Sequence, residues 1–466
     1  MLNIPCTLPD AQEPAYLVGG SVRDLLLKRT PEDFDIVVPE NPGSYAKKLA
    51  AMHHVRAIQL GRGDKRIWRV VGGDAVYDIS RIKGNSIETD LMQRDFTVNA
   101  LAYDPGSGIV IDVTNGRHDL AAGQVRMVSS SIFDQDPVRL LRAFRMTAQH
   151  GFSIEKQTSA LIREKKHLIG LAAGERIREE WFNILKQTVT TATLSEMADT
   201  GFLTALFPEL EGMRELMQNQ YHAFDALTHT LETVGHMEKI FNGLDRHLPR
   251  SAEALNRQIN SQRRIFLKCA AVLHDMGKPA SATMDQKGRR HYYGHEKIGA
   301  QMADKIGRRF RFSNLARASV ALIVRQHLRP LFLFNQTGEK SPGRKARVRF
   351  FMTCGPLAPD VVLHAVADNR AKTAEPGQRH QEFMRFADNL LQEYFTGYQI
   401  TQKAPRLISG HDLIQKFGLS PSPVFSSVLK QVEEARMAGE IHDRKDALNL
   451  AGRILNKDEL PISNNK

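Results

Sequence analysis

Residues Tyr16–Val38 constrain the fold more than any other stretch. A short apolar run, Tyr16–Val18, ends in Gly19-Gly20; Ser21–Lys28 follows with apolar residues at Val22, Leu25 and Leu26, and a second apolar run occupies Ile36–Val38. This order predicts strand, glycine turn, helix and strand. Glycines without Cβ let backbone N–H groups approach an anion, a helix N-terminus adds more donors, and Arg23 adds a charged fork suited to phosphate. Thr30-Pro31 stops the helix. Asp33 and Asp35 then flank Phe34, and in a strand residues two apart share a face, so both carboxylates project together while Phe34 and Ile36 turn away. Two carboxylates that close repel unless a cation lies between them. They suit one or two Mg²⁺ ions that bridge triphosphate oxygens and help deprotonate an attacking hydroxyl. Asp-x-Asp by itself is usually a solvated turn; beside a Gly-Gly turn, a helix and an arginine it points to a nucleotide site.

Gly19-Gly20-Ser21-Val22-Arg23-Asp24 followed by Asp33-Phe34-Asp35 resembles the signature of the class II tRNA nucleotidyltransferase and bacterial poly(A) polymerase family, whose members add nucleotides to RNA 3′ ends. The resemblance implies that Asp33 and Asp35 bind the catalytic metal and that Gly20 and Arg23 contact the nucleotide. Arg94-Asp95-Phe96-Thr97-Val98-Asn99-Ala100 is similar to the family's Arg-Arg-Asp-x-x-x-Asn-Ala motif, with Gln93 in place of its first arginine. Arg94 is placed to hold triphosphate or sugar oxygens, and Asp95 and Asn99, four apart, share a helical face from which they orient it or contact the ribose.

Asp134–Arg145 predicts a helix with Pro137 in its first turn. Arg139, Arg142 and Arg145 form a basic stripe on it, opposite Leu141, Phe144 and Ala148. Asp136 precedes Arg139 by one turn. A carboxylate acceptor beside a guanidinium donor imitates the edge of a base, so this pair can act as a protein template for the incoming nucleotide. The family's Glu-Asp-x-x-Arg motif matches Asp136 and Arg139, with Gln135 at the glutamate. Glu175-Arg176-Ile177 resembles the family's scaffold motif that holds this helix.

Strand-like runs Ile67–Val71 and Ala75–Ile79 around Gly72-Gly73-Asp74 predict a hairpin, in which Asp78 is either a third carboxylate near the metal or a strand-end residue. Fifteen residues, 79–93, separate Asp78 from Arg94. Family members that complete a whole CCA end usually carry a longer flexible loop here; the shortening resembles CC-adding enzymes.

A second constellation comprises His229, His274-Asp275, His295, His327 and Asp368. Its order resembles the HD-superfamily phosphohydrolases. The resemblance implies a second divalent metal held by His229, His274, Asp275 and Asp368, with His295 and His327 matching extra ligands of some members, and a metal-bound water able to attack a phosphoester.

Lys plus Arg outnumber Asp plus Glu by 64 to 52, a surplus suited to a polyanionic partner. Lys305–Arg329 holds seven basic residues and no acidic one, with Phe310 and Phe312 interleaved, and Lys340–Arg349 adds five more; these either line an RNA path or are solvated helix faces. Three scattered cysteines and no long uninterrupted apolar run predict a reducing compartment, the cytoplasm, and no membrane. The expected architecture is α+β: a nucleotidyltransferase-type α/β head (1–128) on an antiparallel or mixed sheet, an all-α neck (129–215), an HD body (216–385) and a helical tail (386–466) with one amphipathic helix from Val424 and a frayed end from 456. The implied activity is metal-dependent transfer of CMP from CTP, and of AMP from ATP if the whole CCA end is made, to the tRNA 3′ end. The rival activities are poly(A) polymerase and an HD phosphohydrolase acting on nucleotides or RNA ends.

Overall fold

The computed structural model describes residues 2, 4–5, 8–9 and 14–458, apart from 62, 64–65, 74, 215, 217–224, 337–342, 374–376 and 421. It divides into two compact units, Met1–Pro208 and Glu209–Lys466.

The first unit is built on a seven-stranded sheet of β1 (Tyr16–Val18), β2 (Asp33–Val38), β3 (Ala57–Leu60), β4 (Ile67–Gly72), β5 (Ala75–Arg81), β6 (Leu101–Asp104) and β7 (Ile109–Asp112), in the order β3-β4-β5-β2-β1-β6-β7. β2 and β5 run parallel and the other neighbours antiparallel, so the sheet is mixed. Leu17, Val18, Phe34, Ile36, Tyr77 and Ile79 are buried along its centre. The β4–β5 hairpin turns at Gly73, whose φ of 59° is the left-handed region that glycine enters without strain. The Gly20–Leu26 helix starts from Gly19 at φ 69°, where an added Cβ would lie 2.7 Å from Arg94 Nη1.

After β5 the chain folds directly into the core. Ser86 caps the Ile87–Met92 helix by accepting from the Thr89 N–H, and Asp90 accepts from the Lys83 N–H at 2.9 Å. Ile82, Ile87 and Leu91 pack with Val18, Val37, Ala100 and Ala102. Burial of each isoleucine, leucine or valine among them contributes about 1.5–3 kcal/mol.

Two local expectations are corrected here. Residues 95–99 do not form an α-helix: Phe96 is extended (φ −123°, ψ 150°) and only Thr97–Asn99 make a 3₁₀ turn. Phe96 is fully buried, and that tertiary anchor overrides the helical spacing. Nor is the helix beginning near Asp134 continuous. It breaks into Ile132–Gln135 and Val138–His150 at Asp136, which is extended (φ −152°, ψ 94°). The residue before a proline clashes with the ring in the α conformation, so Pro137 imposes the break.

Among the described residues the second unit is helical apart from a two-stranded ribbon, Thr283–Met284 with Arg290–His291. Helices Ala226–Phe241, His295–Arg309 and Ala358–Ala371 carry His229, His295 and Asp368, while His274-Asp275 and His327 directly follow the ends of Ser261–Leu273 and Asn314–Gln326. Towards the C-terminus Leu413, Phe425, Val428, Val432, Ala447 and Ala451 form a separate cluster. Two helices, Pro423–Met437 and Arg444–Asp458, stand where one was expected, because Gly439 at φ 69° reverses the chain between them. The predicted fraying concerns residues that lie mostly outside the described ones. The basic run is not an aromatic-interleaved surface: Phe310 and Phe312 are buried, Arg308 and Arg317 pair with Asp304, and Arg309 pairs with Glu209. Arg347 and Arg349 likewise pair with Glu393 and Glu434, while Lys340 lies outside the described residues.

Candidate functional site

In the first unit a polar pocket of about 480 Å³ is lined by Gly19, Gly20, Ser21, Arg23, Asp33, Asp35, Arg94, Asp95, Asn99 and Arg142, among others. The alternation of β2 places Asp33 and Asp35 on the pocket while Phe34 and Ile36 enter the core. Ser21 ties the helix N-terminus to this strand: its hydroxyl accepts from the Asp35 N–H at 2.8 Å and donates to the Asp33 carbonyl at 3.2 Å. Although Asp35 borders the open pocket, loss of hydration raises its carboxyl to about 6; Arg94 opposes the shift, and Asp78 and Asp33 add to it. The Asp33 carboxyl is also raised, by loss of hydration and then by Asp78. Two carboxylates on one strand face, both raised first by loss of hydration and further by Asp78, fit a hard divalent cation, whose charge would oppose both shifts.

Asp78 stands opposite Asp35 in the parallel β2–β5 register. Both of its oxygens accept from Arg69, at 2.8 and 2.6 Å, so it is a charge neighbour of the pair with its donor atoms engaged.

A continuous chain of charges crosses the pocket. Buried Arg23 donates to Asp24 and, at 2.7 Å, to Asn99 Oδ1. The Asn99 amide donates to Asp95 at 3.1 Å, and Arg142 donates to Asp95 at 3.0 Å and to Glu180 at 2.9 Å. Arg145 meets the other Glu180 oxygen at 2.5 Å. Burial opposes the charge on Asp95, yet Arg142, the Asn99 amide and the Phe96 N–H hold its carboxyl near 2. Burial likewise disfavours charged Arg142, and Asp95 and Glu180 more than compensate. Arg94 is held by Asp90 one turn earlier, at 3.0 and 2.8 Å.

Asp136 and Arg139 are not among the residues lining this pocket. The Asp136 carboxylate takes two bonds from Arg176, at 2.8 and 2.7 Å, and Arg139 donates to the Gln93 carbonyl and to Gln135. The expected open template edge is therefore occupied by the chain itself, and Arg176 holds the start of the arginine-bearing helix. Sequence reasoning missed Glu180, Arg29 and His150. Arg29 donates to His150 Nδ1 at 2.9 Å, and burial, then Arg23, Arg29 and Arg145, push that imidazole down to about 3. A single histidine or glutamate carries no periodic signal by which it could have been found.

In the second unit all six expected residues converge and are buried: His229, His274, Asp275, His295, His327 and Asp368. They make two donor groups within 4.8 Å, His229–His274–Asp275 and Asp275–His295–His327, which share Asp275. Asp275 Oδ2 lies 3.1 Å from His274 Nε2, Oδ1 lies 3.3 Å from His295 Nε2, and Asp368 Oδ1 is 2.9 Å from His229 Nε2. The Nδ1 atoms of His274, His295 and His327 each meet the backbone carbonyl three residues earlier, at 2.9, 2.8 and 2.7 Å, and His229 Nδ1 meets the Ala371 carbonyl at 3.3 Å. For His274 and His327 those carbonyls belong to helix C-termini that need donors. Committing Nδ1 in this way turns every Nε2 lone pair inward, the arrangement of metal-ligating histidines. Lys278 contacts Asp275 at 2.6 Å, and a cavity of about 330 Å³ bordered by Lys278, His291, Tyr293 and Lys372 opens on the cluster.

Family models match stretches of both units. Residues 15–126 match the poly(A) polymerase head domain, 151–213 the probable RNA and SrmB-binding site of polymerase A, 226–353 the HD domain and 369–451 the putative tRNA nucleotidyltransferase domain 2. The chain is 30% identical to an A-adding tRNA nucleotidyltransferase of Deinococcus radiodurans, covering 94% of this chain and 95% of that one. It is 29% identical to a CC-adding tRNA nucleotidyltransferase of Thermus thermophilus, covering 93% and 92%. The Thermotoga maritima CCA-adding enzyme, solved with tRNA, shares the fold at a TM-score of 0.59 and 20% identity over 96% of this chain and 92% of that one. With a nucleotidyltransferase head and an HD domain in one polypeptide, the chain belongs to the tRNA nucleotidyltransferase and poly(A) polymerase family.

Proposed function

We propose that this chain adds cytidylate twice to the tRNA 3′ end from CTP and then stops. The observation that carries the reading is the interval between Asp78 and Arg94: Ile82, Ile87 and Leu91 are packed in the core, and Asp90 ties the segment to Lys83. Accepting adenine after two cytidines requires a segment with a second arrangement that biases the pocket. A short helix anchored by Ile87 and Leu91, entered through a buried Ile82, does not supply one.

In this reading Asp33 and Asp35 hold Mg²⁺. An ion held there would supply acidification of the attacking 3′ hydroxyl and charge neutralisation on the leaving pyrophosphate. The Gly20 N–H, Arg23 and Arg94 take the triphosphate oxygens, while Asp95 and Asn99 take the ribose. Arg142 fixes Asp95, and Arg176 holds Asp136 at the start of the arginine-bearing helix. The histidine–aspartate cluster of the second unit holds a different divalent ion for hydrolysis of phosphoesters on nucleotides or RNA ends. The reaction belongs in the cytoplasm with its tRNA.

The test is to incubate the protein with tRNA ending at the discriminator base, with CTP and ATP separately, and with tRNA already ending in CC. Two cytidines and no A are expected. Efficient A addition to the CC-ending tRNA alone would place the chain with its Deinococcus relative; completion of CCA from the discriminator base would make it a full CCA enzyme; and long A tracts on unrelated RNA would make it a poly(A) polymerase.

A further inference from the structure

His364 lies one turn before Asp368 on the Ala358–Ala371 helix, so the two side chains share a face. It is 0% exposed, yet neither ring nitrogen has a hydrogen-bond partner. This sets it apart from His229, His274, His295 and His327, whose Nδ1 atoms all meet backbone carbonyls. Its ring packs edge-on against His274 and His327, at centroid separations of 4.9 and 5.7 Å. Those two rings belong to different donor groups, so His364 sits where the His229–His274–Asp275 and Asp275–His295–His327 groups meet. A buried polar side chain with no partner is rare in native proteins and usually marks an ion or water that the protein atoms do not show.

We infer that His364 is a further metal-ligating side chain of the histidine–aspartate centre, one that the HD pattern does not include. The inference rests on reading the second unit as a metal site. Its donor set of imidazoles around shared carboxylates favours a transition-metal ion over Mg²⁺.

The experiment uses the full chain carrying D33N and D35N, so that the head does not compete for metal. The protein is stripped with chelator and titrated with Co²⁺, and ions per chain, affinity and the visible Co²⁺ absorption are recorded for this parent and for the same chain with H364A or H364Q. Loss of a ligand predicts affinity about tenfold to a hundredfold weaker for at least one ion and an altered Co²⁺ spectrum. Circular dichroism of each variant, and nucleotide addition by H364A in an otherwise native chain, show that the fold survives. Unchanged stoichiometry, affinity and spectrum in both variants would overturn the role of His364 while leaving the centre intact. A parent that binds no Co²⁺ would instead overturn the metal reading itself.

Discussion

The carboxylate pair of the first unit and the histidine cluster of the second offer a metal ion opposite environments. Asp33 and Asp35 present oxygens at the edge of an open pocket, whereas His229, His274, Asp275 and Asp368 are buried beneath a smaller cavity and already bonded to one another. A hard ion held by two exposed oxygens depends on its substrate's phosphates for the remaining ligands, so it enters and leaves with the nucleotide. An ion in a buried nitrogen-rich cage stays with the protein. In the proposed reading, one polypeptide pairs a site built for passage with a site built for retention.

The sharpest way to break this contrast is D35A. Removing one oxygen of the pair should lower nucleotide addition by at least ~10²-fold while tRNA binding in a filter or gel-shift assay changes little. Turnover within about tenfold of the native enzyme would remove Asp35 from the metal site. Next in size is D275A, which takes the shared donor from both groups of the second unit. It should abolish tight metal retention through gel filtration and any phosphoesterase activity, with nucleotide addition unchanged to within about twofold. A folded D275A protein inactive in nucleotide addition would show that the two units are coupled.

E180A tests how the head keeps its site ordered without a buried metal. It strips Arg142 and Arg145 of their common acceptor, and removing one partner of a buried ion pair costs up to about 3–5 kcal/mol, less here because Arg142 remains partly open to solvent. A lower melting temperature and a raised KM for CTP should appear together. The smallest effect is expected from pH. His150 is held near 3, far below an ordinary histidine, so the unfolded chain takes up its proton first. Its contribution is complete above about pH 6.5 and declines as pH falls towards 3. Asp95, held near 2, contributes above the ordinary aspartate range and loses that contribution as pH falls through about 2. Melting temperatures at about pH 7, 5 and 4 should therefore fall steadily, and H150Q should lessen the drop in the upper part of that window.

The same two regions show what the sequence could and could not disclose. The strand, glycine turn and paired aspartates were legible because they are local: a two-residue period and a Gly-Gly step specify them within 23 residues. The six HD positions were legible because a His-Asp pair and its spaced partners match a known pattern. Glu180 was not, since it lies 38 residues from Arg142 and its value depends on two helices meeting. His364 was hidden for the same reason, because only packing reveals that both its nitrogens lack partners. Residues 95–99 read as a helix because spacing ignores the buried Phe96, whereas the break at Asp136 was available from the proline rule alone. The template pair illustrates a further limit: adjacency of Asp136 and Arg139 was correct, but Arg176, forty residues on, occupies the edge they were expected to present.

The chain of alternating charges from Asp24 through Arg23, Asn99, Asp95 and Arg142 to Glu180 also bears on ionic strength. Its members are bonded to one another in a partly dehydrated wall, where dissolved salt screens weakly. The surplus of basic residues that draws in a polyanion lies largely in solvent, where each phosphate contact weakens as salt rises. Raising potassium chloride should therefore loosen the hold on tRNA long before it alters the geometry that receives the nucleotide, and at high salt the enzyme would be short of its acceptor while still correctly set for the donor.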